Sequence, residues 1–138
     1  NIVDKATYFK NTLEAIPQML AIFEKNAIHV TWATVGMLFN ENWEEWHSNI
    51  PEILPTYDRK ELDAYEYGKK HQKSGLDSFF FASKLIKAIQ SVEGQEIGTH
   101  TYSHYYCQEK GQTQFQFEAD LKQAIQVAQK MKIELNLN

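Results

Sequence analysis

The sequence predicts an α/β fold, a parallel sheet whose strands alternate with helices. Three observations carry that expectation. Apolar residues recur at helical spacing over 11–25, 77–91 and 114–131. Runs rich in β-branched or alternating apolar residues fall between them, at 28–38 and 95–99. The tail at 132–138 alternates apolar and polar residues, as a closing strand does. Strands separated by helices pair in parallel through right-handed crossovers.

In "NTLEAIPQMLAIFEK", 11–25, the residues Leu13, Ile16, Leu20 and Phe23 form one stripe of an amphipathic helix, and Pro17 either begins its regular part or bends it. "IHVTWATVGML" has apolar residues on both alternating faces after Val30, which suits a buried parallel strand ending at Gly36. Residues 40–76 are polar and aromatic, punctuated by Pro51, Pro55, Gly68 and Gly75. This segment is too long for a bare connector and reads as an insertion that is locally folded or functional. Phe81, Leu85, Ile86 and Ile89 stripe a helix over 77–91, and "QEIGT" is a short strand that stops at Gly98. Thr113 is the N-cap of a helix over about 114–131, with Phe117, Leu121, Ala124, Ile125 and Ala128 on its buried face. "KIELNLN" places Ile133, Leu135 and Leu137 on one face of a last strand.

The length of 138 residues fits a single domain spanning 1–138 with a true core. A net charge of -4 offers no electrostatic basis for nucleic acid or an anionic membrane as partner. A single cysteine, Cys107, forms no intrachain disulfide, so a reducing cytoplasm is the default compartment. No apolar run reaches the length of a bilayer span, and the first ten residues are not a signal peptide. The chain opens on Asn1 rather than Met, as a processed or excised segment would.

The chemistry concentrates in "EIGTHTYSHYY", 96–106, which holds two of the five histidines. His100 and His104 follow directly on a strand, and the carboxyl ends of parallel strands are where α/β proteins build sites. Neutral imidazoles are common zinc ligands, and a separation of four lets two converge if the segment turns helically. The plainer reading is two loop histidines, pairing with Glu96 or Glu109. A zincin protease would need glutamate directly after the first histidine, where Thr101 stands. Thr101 and Ser103 are placed to bond the backbone or the second ring nitrogen of a ligand histidine. Tyr102, Tyr105 and Tyr106 are candidate substrate contacts. Cys107 reads as a small buried hydrophobe, His29 as a hydrogen-bonded structural residue, and His47 and His71 as surface residues. Trp43, Trp46, Tyr57, Tyr65 and Tyr67 lie in the insertion, which leaves the same strand ends and so hangs over the site face. Most of them anchor that segment, and one or two are candidates for a sugar face.

"EIGTHTYSH" resembles the second signature of the polysaccharide deacetylase (NodB-homology) family, His-Ser/Thr-x-x-His after a strand. "NAIHVTWATVGML" resembles the strand before it, and "GQTQFQFEADLKQAIQVAQK" the helix after it, so the likeness spans roughly 11–131. The resemblance implies a distorted (β/α) barrel, of which this sheet would be part. It also implies a divalent metal, zinc being the expected one, held by His100 and His104, with Thr101 steadying their loop. The activity implied is removal of N-acetyl groups from a carbohydrate, which further requires a carboxylate base and a histidine acid. The family's first signature belongs N-terminal to the first helix, where Asp4 is the sole aspartate, and its later signatures belong beyond 138. The chain therefore reads as an internal fragment with no assignable catalytic acid or base, low metal occupancy and little turnover. Its incomplete sheet would leave edges open to self-association. Two rivals stand beside an acetylated carbohydrate as substrate: a small cyclic amide hydrolysed on the same scaffold, and an inactive glycan- or protein-binding module.

Overall fold

The computed structural model describes residues 3–135. After a 3-10 turn at Val3–Lys5 come α1 (Ala6–Lys25), β1 (Val30–Thr34), α2 (Trp43–Ser48), α3 (Ala64–His71), α4 (Ser83–Gln90), β2 (Gln95–Thr99) and α5 (Gln114–Lys130). Further 3-10 turns lie at Gly36–Phe39, Lys60–Leu62 and Asp77–Phe79.

The two strands pair in parallel with Val30 opposite Gln95 and Thr34 opposite Thr99, so their carboxyl ends finish level. The chain is thus α/β. Among the described residues the sheet holds two strands, which is less than the expected barrel. That shortness explains why β1 is half-buried and exposed in alternation rather than buried on both faces. In β2 the burial concentrates at Ile97 and Gly98. The final strand expected over 132–138 is absent from 132–135, which lies in turn and irregular backbone, and the remainder falls outside the described residues.

α1 begins at Ala6, well before Pro17, which sits inside it. Pro17 is exposed, so its missing amide disturbs only the solvent side, where a helix tolerates a bend. The predicted stripe holds: Leu20 is buried, Leu13, Ile16 and Phe23 are half-buried, and the Phe23 ring packs 6.2 Å from that of Trp32 on β1. The helix expected over 77–91 divides into the turn at Asp77–Phe79 and α4, which buries Ile86 and Ile89 beside β2. Segment 40–76 is folded, carrying α2 and α3. Trp46 of α2 lies over Gly68 of α3, where an added Cβ would stand 2.8 Å from the indole Cζ2.

α5 starts where the capping residues place it. Thr113 Oγ1 accepts from Gln116 N at 3.4 Å while Gln116 Oε1 accepts from Thr113 N at 2.9 Å, a reciprocal capping box. Thr113→Ala is expected to cost about 1 kcal/mol of stability, measured as a lowered urea midpoint. The buried face of α5 is rotated from the predicted one: Gln116, Asp120, Ala124, Val127 and Ala128 are buried, while Phe117, Leu121 and Ile125 are half-buried. Among the described residues no helix is long and apolar enough to cross a membrane.

Candidate functional site

The pairing of β1 and β2 runs one residue past their ends, because His100 N donates to Thr34 O at 3.0 Å. The chain then turns sharply. Thr101 (φ 61°) and His104 (φ 58°) both lie in the left-handed region, which a β-branched threonine rarely adopts. The turn is over-determined by bonds from other elements, which is how such backbone persists. Gly36 N donates to Thr101 O at 2.8 Å, and Met37 N donates to Tyr102 O at 2.9 Å. Thr101 Oγ1 donates to His100 O at 2.6 Å and accepts from Tyr105 N at 2.7 Å.

The folded-back turn brings the two imidazoles together, with ring centroids 4.7 Å apart and planes at 63°. Both rings are exposed at the carboxyl edge of the sheet. Two imidazoles on one tetrahedral zinc, with Zn–N bonds of about 2.0–2.1 Å, hold their centroids about 5 Å apart. The 4.7 Å centroid separation of the pair is close to that value. Among the described residues no third histidine, cysteine, aspartate or glutamate completes a metal-binding group with them.

The residues around the pair have other tasks than several of those expected. Tyr102 is wholly buried and cannot meet a substrate. Its hydroxyl accepts from Asn40 Nδ2 at 3.3 Å, and Asn40 in turn is held by Asn49, whose amide oxygen accepts from Lys130 Nζ. Ser103 is also buried, and its hydroxyl donates to Asp120 rather than to an imidazole. Tyr105 is buried, with its hydroxyl on Gln112 Oε1 at 2.9 Å, and burial pushes its phenol up to about 12. Tyr106 alone of the three tyrosines stays exposed, its ring 5.2 Å from that of His104. Cys107 is exposed rather than buried. His29 is exposed and precedes β1, so it does not alternate with core positions inside a strand. His47 is exposed, and His71 is half-buried with Nδ1 on Tyr67 O at 2.8 Å.

Segment 40–76 reaches the same loop. The Tyr57 hydroxyl accepts from Tyr106 N at 3.0 Å, and the Tyr65 ring stacks 6.4 Å from that of Tyr102. Burial raises the phenol pKa of Tyr57, Tyr65 and Tyr102, which keeps all three protonated as fixed dipoles.

The residue that organises this loop, Asp120, has no counterpart among the sequence-based candidates. Its Oδ1 accepts from Tyr102 N at 2.6 Å, and Oδ2 accepts from Ser103 N at 3.2 Å and from the Tyr65 hydroxyl at 3.4 Å. The carboxyl is 1% exposed. Burial raises its pKa, and the hydrogen bonds from Ser103, Tyr102 and Tyr65 act in the opposite direction. The one signal in the sequence was the spacing of Gln116, Asp120 and Ala124, four apart on a helix, with a charge at the middle of a face that turned out to be buried.

A short parallel α/β sheet with an imidazole pair at its carboxyl end defines, in general terms, an α/β protein with a strand-end site. The family model described as polysaccharide deacetylase matches residues 7–134, and the chain belongs to that family. No curated protein and no solved structure matched the chain.

Proposed function

We propose that this chain forms a single deacetylase-like domain, with 40–76 roofing the site, that contributes His100 and His104 as two ligands of a divalent metal, zinc foremost. The reaction it serves is hydrolytic removal of an N-acetyl group from a carbohydrate. What carries the reading is the convergence of the two imidazoles to 4.7 Å at the carboxyl edge of a parallel sheet, in a chain of the polysaccharide deacetylase family. When bound, the metal supplies Lewis acidity toward the amide carbonyl and makes water a stronger nucleophile near neutral pH. The chain's own residues hold that centre. Thr101 fixes the turn through its bonds to His100 O and Tyr105 N, and Asp120 fixes the backbone between the two histidines. Tyr106 presents its ring and hydroxyl beside His104, where a sugar face can lie against it. The free edges of the two-stranded sheet are sites for further strand pairing, with more of a barrel or with a second chain.

The test is zinc titration of the 138-residue chain by calorimetry, with the histidine ring signals followed in parallel by NMR. Weak binding is expected, because two imidazoles leave a four-coordinate ion half-ligated. His100→Ala or His104→Ala should each lower the affinity by at least about tenfold, the minimum seen even for residues behind the ligands. Equal zinc affinity in the wild type and the double variant would sink the assignment.

A further inference from the structure

Two cavities meet at His104. One is open and carries the polar side chains of Glu61, Asp63 and Tyr106 on its border. The other, of about 230 Å³, is walled by rings, chiefly Trp43, Trp46, Phe80 and Phe81. Ala64, Tyr67, Ser103 and His104 line both, so the two spaces share a wall at His104, one of the two proposed metal ligands.

The ring-walled cavity is built to stay open. Trp46 is 2% exposed and meets Trp43 edge-on, with centroids 5.5 Å apart at 90°. Trp43 is clasped by Phe80 at 4.9 Å and Phe81 at 4.8 Å, and its indole Nε1 donates to Asp77 Oδ1 at 2.8 Å. These contacts leave the indole little freedom to fall inward. The space is several times the roughly 30 Å³ share of one water-sized group, so a single methyl group fills only a small part of it. Its walls are aromatic and offer few polar groups, so a bare sugar ring would lose hydrogen bonds there. An acyl chain would lose none.

We propose that this cavity receives the acyl chain of an N-acyl amino sugar whose chain is longer than acetyl, of about four to eight carbons, while the sugar ring lies in the open cleft beside Tyr106. This rests on the reading that the scissile amide sits at His100 and His104. It extends that reading from the acetyl group to longer acyl groups.

The experiment is a titration of the wild-type chain with N-acetyl-, N-butanoyl- and N-hexanoylglucosamine, followed through the indole N–H signals of Trp43 and Trp46. Binding should tighten by about fourfold for each added methylene, and the Trp43 and Trp46 signals should shift with the longer ligands. Ala64→Phe, which fills the cavity from its shared wall, should abolish the dependence on chain length. Its amide spectrum checks that the fold survives, and the wild-type series decides the matter if it does not. Equal binding of all three ligands, binding of none, or shifts that spare both indoles would overturn the proposal. The zinc titration is independent of this result. Zinc held by the histidine pair without a chain-length preference removes the acyl cavity alone. A chain-length preference with no zinc binding removes the metal reading and leaves the cavity assigned.

Discussion

Asp120→Ala is expected to destabilise the chain by about 3–5 kcal/mol, since it leaves the amides of Tyr102 and Ser103 buried without acceptors at about 1–3 kcal/mol each. The Ser103 and Tyr65 hydroxyls lose a partner in the same step. Against a total stability of about 5–15 kcal/mol, that is at least about a fifth of the whole. Urea denaturation of wild type and variant measures it, and a loss below about 1 kcal/mol would show that the carboxylate is dispensable. Asp120 also gives stability a pH dependence of known sign. Its folded pKa is raised, so between the ordinary value of about 3.9 and the folded value the folded chain keeps a proton that the unfolded chain has released. The contribution is therefore complete at the acid end and is lost as pH rises through the folded pKa. Asp120→Asn should flatten that segment of the stability curve.

Gly36→Ala is the second substitution expected to act strongly. An added Cβ would lie 2.7 Å from Tyr102 Cδ2, 2.9 Å from Tyr102 Cα and 3.3 Å from Ala124 Cα. Two of these neighbours are backbone atoms of separate segments, so no side-chain rotation relieves the overlap. The expected cost is about 1–3 kcal/mol, in the range of overpacked cores. The loop must also retreat from Gly36 N, which donates to Thr101 O, so zinc affinity should fall together with the melting temperature. A full-strength zinc site in a destabilised Gly36→Ala chain would show that the histidine turn does not depend on its seat against the turn at Gly36–Phe39.

The parts of this fold that local chemistry dictates were legible in the sequence. Thr113 and Gln116 carry a reciprocal cap in their side chains, so the start of α5 fell where expected. The strand in "QEIGT" was expected to stop at Gly98, and β2 runs one residue further, to Thr99. The parts set by packing were harder to read. The stripe of Phe117, Leu121 and Ile125 looked like the inner face of α5, but the face turned inward carries Gln116 and Asp120. A buried aspartate is invisible to a hydrophobic pattern, because its burial depends on donors supplied by a distant loop. The same limit applied to Tyr102. Flanked by histidines it resembled a substrate contact, and only the left-handed turn at Thr101 and the close approach of Gly36 send its ring into the core. Pro17 suggested a helix start or a bend, and the first of these fails because α1 runs through its exposed position.

The turn between the histidines takes its bonds from residues far along the chain: Gly36 and Met37 on one side, Asp120 on another, and Tyr57 beyond. Contacts of such sequence separation form only after the chain has closed large loops. The spacing of the imidazole pair therefore depends on the whole tertiary structure, and an excised peptide of 95–106 is expected to carry both rings without their spacing. Any ion that binds the pair selects the finished tertiary structure over its precursors, so metal occupancy and conformational maturity are a single equilibrium read from two ends.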